Sequence, residues 1–165
     1  MQVQLVGFRV GGEFYAINIL SVLQIIPYKA PLKVAQVPAF IEGIIHLRGM
    51  VIPIVDLRRR FGAPIPTGDD AGRILILRVE TPAGEQHVGL AADSTTQVIR
   101  TDADKFLRAP EVLLRGDTAY TGEVYEDDES RTYMVLDPRK ILSPSEQRQL
   151  GGVADVPPAP LEAAS

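Results

Sequence analysis

Residues 37–57 constrain the fold more than any other part of the chain. They hold two short apolar segments, IIHL at 44–47 and VIPIV at 51–55, separated by three residues. Gly49 lies in that gap and can take the positive φ that a tight hairpin turn requires. Asp56 follows the second segment and is a favoured N-cap for a helix beginning at Leu57. The run therefore predicts a β-hairpin that leads directly into a helix.

The two halves of the chain repeat the same pattern weakly. A turn-rich segment, APIPTGDDAG at 63–72, separates them. Before it, strand-like segments with a Gly-Glu turn occupy 3–19, and the same arrangement returns at 73–92. The hairpin that ends at Asp56 is likewise matched by a later hairpin that ends at Asp137. Each half supplies about five short strands and little helix, which is typical of a small closed barrel.

The repeat predicts a mainly β chain of two small barrels. We expect them to correspond to the sequence halves, roughly 1–62 and 73–142, within one domain of residues 1–150. A unit of this size buries too little surface to be stable alone, so the barrels should pack together. Residues 151–165 are rich in Pro and Ala, without apolar periodicity, and predict a disordered tail.

Two helices are expected besides the one after Asp56. Residues 20–26 could form a short helix, capped by Asn18 or Ser21 and ending before Pro27. A C-terminal helix should begin at Asp137-Pro138 and continue to about residue 150, since Asp at the N-cap followed by Pro is a strong start signal.

Composition excludes several classes of function. The chain has 21 acidic and 17 basic residues, so it lacks the basic surface that general nucleic-acid binding needs. It contains no Cys, which excludes disulfides, thiolate catalysis and Cys-ligated zinc. The N-terminus lacks the pattern of a signal peptide, and no run approaches the roughly 20 apolar residues of a membrane span. We expect a soluble, cytoplasmic protein.

No catalytic group stands out. The two histidines, His46 and His87, lie inside apolar segments and are better read as structural than as ligands or bases. Acidic pairs and runs at 69–70 and 126–129 fit solvated turns better than a metal site. The three arginines at 58–60 point in different directions on a helix, and a solvated face is the simplest interpretation. The sequence predicts no catalytic residue, no metal and no cofactor.

A family resemblance becomes clear in the run from Pro38 to Phe61. Its pattern, P-x-F-I-x-G-x-x-x-L-R-G-x-x-I-P-I-V-D-L-R-x-x-F, closely resembles the CheW family of bacterial chemotaxis coupling proteins. The segments EFYAINI at 13–19, VGLAAD at 88–93 and MVLD at 134–137 are similar to other strands of that family. The resemblance covers about residues 4–150.

The resemblance implies an adaptor rather than an enzyme. Family members have two SH3-like five-stranded barrels packed together, a few short helices and a C-terminal helix. They connect the cytoplasmic tips of chemoreceptors with the regulatory domain of a CheA-type histidine kinase. For this chain it implies a cytoplasmic location at receptor arrays, with membrane association only indirect through receptors.

The resemblance also implies two partner sites. A receptor-binding groove between the barrels would comprise Val22, Gln24, Ile25, Arg48, Ile74 and Val98, with Arg48 as its polar anchor. A kinase contact would include Glu111 and Val112. Gln24 stands where many members carry Glu, which would weaken or redirect a polar receptor contact. From the residues alone, plain core is an equally good interpretation of the four aliphatic positions.

Other functions remain open. The same fold could serve a pilus-motility or another receptor-kinase pathway. The chain could also be part of a larger kinase or coupling protein, although Met1 at the start of a strand and the Pro/Ala-rich tail favour a self-contained chain. A ligand-binding regulatory barrel would require a closed polar pocket. An enzyme is the least supported alternative.

Overall fold

Two β-sheets carry the fold. The computed structural model describes residues 2–66, 72–82, 84–108 and 121–154. The strands are β1 (Gln2–Val10), β2 (Glu13–Asn18), β3 (Val22–Pro27), β4 (Gly43–Leu47), β5 (Met50–Asp56), β6 (Arg73–Thr81), β7 (Gly84–Ala92), β8 (Ser94–Asp102), β9 (Leu107–Arg108), β10 (Thr121–Glu126) and β11 (Thr132–Leu136). The helices are α1 (Leu57–Arg60), α2 (Pro138–Ile141) and α3 (Pro144–Ala154), with 3-10 turns at Ile19–Ser21 and Ala103–Lys105. Sheet A has the order β8-β1-β2-β11-β10-β9, and sheet B the order β3-β6-β7-β5-β4.

The prediction of a mainly β chain with two barrel-like units is confirmed, but the units do not follow the sequence halves. Strand β3, from the first half, pairs with β6 of the second half, and β8 pairs with β1. Strand β5 lies parallel to β7, and β11 lies parallel to β2. Each barrel is therefore built around the hairpin of one half and completed by strands of the other. The predicted boundary between 62 and 73 separates sequence repeats, not barrels.

The strands exchanged between the two halves pair in the same register in both sheets. Val22 lies opposite Leu77, and its counterpart Thr95 lies opposite Phe8, the counterpart of Leu77. A bulge interrupts both ladders at the same place. Because each half gives its third strand to the other in the same way, the two halves are related by an approximate two-fold axis, as in a reciprocal exchange between subunits.

Three cores result from this arrangement. Ile45, Ile52, Ile54, Ile74, Ile76 and Ala91 fill barrel B, and Leu5, Ala16, Ile99, Tyr125 and Tyr133 fill barrel A. The largest cluster lies between the sheets and includes Val6, Phe8, Ile17, Leu75, Leu77, Leu90 and Leu150. Successive residues of a strand point to opposite faces, so β6 sends Ile74 into the barrel and Leu75 into the interface. Strands buried on both faces explain the continuous apolar run RILILRV.

The helix predicted over 20–26 is wrong. Residues 22–27 form strand β3, and only Ile19–Ser21 turn as a 3-10 helix, capped by Asn18. The bulge after Val22 breaks the alternation of the strand, which gives the apolar residues a spacing that also fits a helix.

The expected C-terminal helix is two helices. Asp137 caps α2 as predicted, but the helix is interrupted at Leu142-Ser143. Ser143 and Glu146 then form a capping box for α3. Helix α3 continues to Ala154, four residues beyond the predicted domain end, and residues 155–165 lie outside the described part.

Candidate partner-binding groove

Ile25 and Val98 lie on the two faces that the barrels turn toward each other. Ile25 is opposite Leu75 on β6, and Val98 is opposite Val6 on β1. Directly paired residues point to the same side of a sheet, and both Leu75 and Val6 belong to the core between the sheets. Ile25 and Val98 extend this apolar surface beyond the covered area, because their side chains remain 38% and 53% exposed.

The strands that carry these residues are edges. β3 is the first strand of sheet B, and β8 is the first strand of sheet A. The 3-10 turn that leads into β3 contacts both β1 and β6, so β3 starts at the seam between the sheets. Val22, the first residue of β3, packs against the core at this seam. Each edge strand therefore adds an exposed aliphatic residue to the apolar surface between the sheets, and we propose that the two strands border an apolar depression between the barrels.

Two apolar residues beside this depression were not predicted. Leu20 is 82% exposed and Leu23 is 39% exposed, and both flank Val22. The sequence predicted a short helix over 20–26, and that prediction gave no basis for expecting either side chain to be exposed. Reading 22–27 as an edge strand would have identified Leu23.

Two predicted groove residues lie elsewhere. Ile74 is completely buried in barrel B, opposite Ile26, so it supports the wall from inside and offers no surface to a partner. Gln24 is half-buried and lies opposite Ile76, on the side of the ladder away from Ile25. For Ile74, the plain-core interpretation is the one that fits the structure.

Arg48 occupies a strained turn at the end of barrel B. The hairpin loop between β4 and β5 consists of Arg48 and Gly49, with φ of 51° and 79°. Positive φ at both positions is the signature of a type I′ turn, which favours Asn or Gly in the first place. Arg48 is exposed, and a neighbouring cation, Lys29, donates to the His46 carbonyl at 3.3 Å. The turn thus presents a long cation at a backbone cost that glycine would avoid.

The three arginines of α1 each have different acidic partners. Arg59 is exposed and bonds Glu42 at 2.7 Å, while Arg60 bonds Glu146 of α3 and is only 18% exposed. Arg58 is completely buried. The prediction that they point in different directions is confirmed, but a solvated face describes Arg59 alone.

Arg58 is held by a buried ion pair. Its Nε donates to Asp56 Oδ1 at 2.9 Å and its Nη2 to Oδ2 at 3.0 Å, while Nη1 lies 3.6 Å from Asp93. The ring of Tyr28 lies against the guanidinium, 5.2 Å from centroid to Cζ. Burial lowers the pKa of Arg58, but its bonds and charge contacts with the two aspartates outweigh this, and the net shift is upward.

The same Asp-x-Arg arrangement recurs after β11. Arg139 donates through its backbone N–H and through Nε to Asp137 Oδ1, at 2.9 and 3.3 Å. Asp56 also caps α1 through the N–H of Arg58, as predicted for that aspartate. Arg139, however, is 70% exposed. The repeated spacing is the sequence signal that could have marked Arg58 as more than a surface charge.

Glu111 and Val112, the predicted kinase contact, lie outside the described residues, as do Asp69 and Asp70.

Among the residues that the structure describes, no group of three His, Cys, Asp or Glu side chains could hold a metal ion. His46 is exposed, and His87 lies 3.7 Å from Glu85. No helix in the described ranges is long and apolar enough to cross a membrane.

Comparison with known proteins agrees with this architecture. The family model of the CheW-like domain matches residues 4–146. The chain is 31% identical over 147 residues to a chemotaxis protein CheW of Klebsiella aerogenes, covering 89% of this chain and 86% of that protein. It is 31% identical over 156 residues to a chemotaxis protein CheW of Treponema pallidum, covering 92% and 89%.

A solved structure is similar over nearly the same length. The crystal structure of the scaffolding protein TtCheW from Thermoanaerobacter tengcongensis aligns with a TM-score of 0.71 at 29% identity, covering 86% of this chain and 92% of that one. The family match, the relatives matched over most of their length and the shared fold lead to one conclusion: the chain is a member of the CheW-like domain family.

Proposed function

We propose that this chain is a non-catalytic chemotaxis adaptor that couples chemoreceptors to a CheA-type histidine kinase. Its relatives are named as chemotaxis proteins, and the similar solved structure as a scaffolding protein. The observation that carries the proposal is the pair of partly exposed aliphatic residues, Ile25 and Val98, on the edge strands beside the core between the sheets. A scaffold acts by holding partners together, so surfaces of this kind, rather than a catalytic cluster, are the features it needs.

The depression takes a helix from the cytoplasmic tip of a receptor. An amphipathic helix binds a groove through apolar anchors spaced by three or four residues, and a charge at one end fixes its register. Ile25, Val98 and Val22 provide the apolar contact, and Arg48 provides the charge. Gln24 lies on the opposite side of β3 from Ile25, so it is left out of the proposed contact. Glu111 and Val112 remain the proposed contact with the regulatory domain of the kinase.

The arginine at a type I′ position supports this role. A turn selected only for folding would carry Gly or Asn there, since a left-handed conformation costs a side chain roughly 1–2 kcal/mol. Retaining Arg48 at this cost is expected where its charge has a partner outside the chain.

Titration with a receptor-tip fragment and, separately, with the kinase regulatory domain tests the proposal. Arg48→Glu should weaken receptor binding at least tenfold and leave kinase binding within about twofold. Lys105→Glu is the matched control, because Lys105 is an exposed cation on a 3-10 turn of sheet A and should affect neither partner. Binding of neither fragment by the unmodified chain, or equal loss of both in Arg48→Glu, would contradict the proposal.

A further inference from the structure

Asp93 is the single residue between β7 in sheet B and β8 in sheet A, so the chain crosses from one barrel to the other at this point. Its N–H donates to the carbonyl of Arg9 at 2.9 Å, and its Oδ2 accepts from the N–H of Gly11 at 2.7 Å. Both of these partners belong to the β1–β2 hairpin of sheet A. The carboxylate thus caps the turn of that hairpin.

The second oxygen of Asp93 faces sheet B. Oδ1 lies 3.6 Å from Nη1 of Arg58, which follows β5 and is fixed by Asp56. With the Arg58 side chain completely buried, the guanidinium has no water to replace a lost carboxylate. One side chain therefore connects the hairpin turn of sheet A with the start of α1 at the end of sheet B.

The equivalent crossing in the other half lacks this link. There the chain passes from β2 to β3 through the turn Ile19–Ser21. Counting back from the equivalent residues Val22 and Thr95, Leu20 stands in the place of Asp93. Leu20 is 82% exposed, and the neutral Asn18 caps the turn. Within the part of the chain that the structure describes, β8 begins at a charged link between the barrels and β3 does not.

We propose that the Asp93–Arg58 link is a positioning device that sets the distance between the walls of the groove. It rests on the proposed function, since it concerns the same groove. Val98 follows Asp93 by five residues on β8, and β8 is paired with β1 along its length. Releasing the β1–β2 turn from Arg58 lets sheet A shift on sheet B, which moves Val98 relative to Ile25. Neither Asp93 nor Arg58 touches the docked helix.

Two variants separate the charge from the turn cap. Asp93→Asn keeps an amide oxygen for the Gly11 N–H but removes the charge beside Arg58, whereas Asp93→Glu keeps the charge. Asp93→Asn should lower the affinity for the receptor-tip fragment about fivefold or more and leave kinase binding within twofold. Asp93→Glu should recover part of the loss. In a Val98→Ala background, the loss of receptor affinity caused by Asp93→Asn should be smaller, because Val98 is the residue that is displaced. In an Arg48→Ala background, the loss should persist in full, because Arg48 is not displaced.

A distance measurement provides a readout independent of binding. The chain has no cysteine, so Leu23→Cys on β3 and Gln97→Cys on β8 allow specific spin labelling of the two walls. Both positions are exposed. Asp93→Asn should shift or broaden the distance distribution between the labels, and Asp93→Glu should restore it.

All comparisons are made at a temperature where urea titration shows each variant to be folded. If Asp93→Asn reduces stability but leaves both the label distance and the receptor affinity unchanged, the link is only structural and the inference is overturned. If Ile25→Ala and Val98→Ala also leave receptor affinity unchanged, the proposed groove itself fails. The two failures are therefore distinguishable.

Discussion

Ile25 and Val98 are the same position of the internal repeat. Each lies on the edge strand that its half contributes to the other barrel, opposite a residue of the core between the sheets. The approximate two-fold axis that relates the halves also relates these two residues. A depression with equivalent aliphatic residues on both walls can contact a bound helix from two sides.

A charge on either wall should abolish helix docking. Ile25→Asp and Val98→Asp each place a carboxylate against an apolar helix face, and each should weaken receptor-fragment binding more than tenfold by calorimetry. Both side chains are partly exposed already, so the free energy of unfolding should fall by less than about 1 kcal/mol. Leu107→Asp is the control, since Leu107 is 64% exposed on β9, at the far edge of sheet A. If all three variants bind the receptor fragment with the same affinity, the depression is not the docking site.

Ile74 should behave in the opposite way. Truncating this buried residue to Ala removes contacts in the core of barrel B and should lower the free energy of unfolding by about 2–5 kcal/mol. Receptor affinity of the folded variant should remain within about twofold. Urea titration combined with calorimetry separates the two effects. A tenfold loss of receptor affinity with an unchanged free energy of unfolding would show that Ile74 is part of the groove.

Much of the fold could be predicted from the sequence because its local signals agree with each other. The hairpin around Gly49, the caps at Asp56 and Asp137 and the repeat itself all depend on residues close in the chain. The exchange of strands does not. The apolar residues of β3 are the same whether the strand pairs within its own half or with β6, so the sequence contains no signal for the partner.

The site was harder to predict for a related reason. A strand buried on both faces reads as one apolar run, so Ile74 and Leu75 cannot be assigned to barrel or interface from their neighbours. Three consecutive arginines likewise do not reveal which one is buried. The Asp-x-Arg spacing singles out Arg58 as a paired cation, but its place between the barrels becomes evident only when Asp93, 35 positions later, is seen beside it.

Relieving the strain at Arg48 should stabilise the protein while weakening its function. Arg48→Gly removes the cost of a left-handed side chain and should raise the free energy of unfolding by about 0.5–1 kcal/mol. The same variant lacks the proposed anchor and should bind the receptor fragment several-fold more weakly. Ser130→Gly is a matched control, because Ser130 has φ of 63° on the turn between β10 and β11. It should stabilise similarly without changing receptor affinity. A destabilised Arg48→Gly would show that the arginine supports the turn itself.

The contact between α1 and α3 should give the protein a defined sensitivity to acid. Burial raises the pKa of Glu146, but its bonds with Arg60 and Ser143 outweigh this and hold the pKa below its ordinary value of 4.5. A carboxylate with a lowered folded pKa contributes stability above its unfolded pKa and loses it as pH falls through the folded pKa. The contribution should therefore be complete at pH 6–7, begin to fall near pH 4.5 and be lost as the pH falls further, through the lower pKa of the folded state.

Glu146→Gln tests this assignment. The variant loses the charge that Arg60 faces and part of the capping box, so its free energy of unfolding at pH 7 should be about 1–2 kcal/mol lower than that of the unmodified chain. The difference should narrow as urea titrations are repeated from pH 7 down to pH 3.5, because protonation removes the same charge from the native glutamate. Glu129→Gln, an exposed glutamate of the β10–β11 turn, should match the unmodified chain across this range. A difference that stays constant with pH would mean that Glu146 acts through packing and not through its charge.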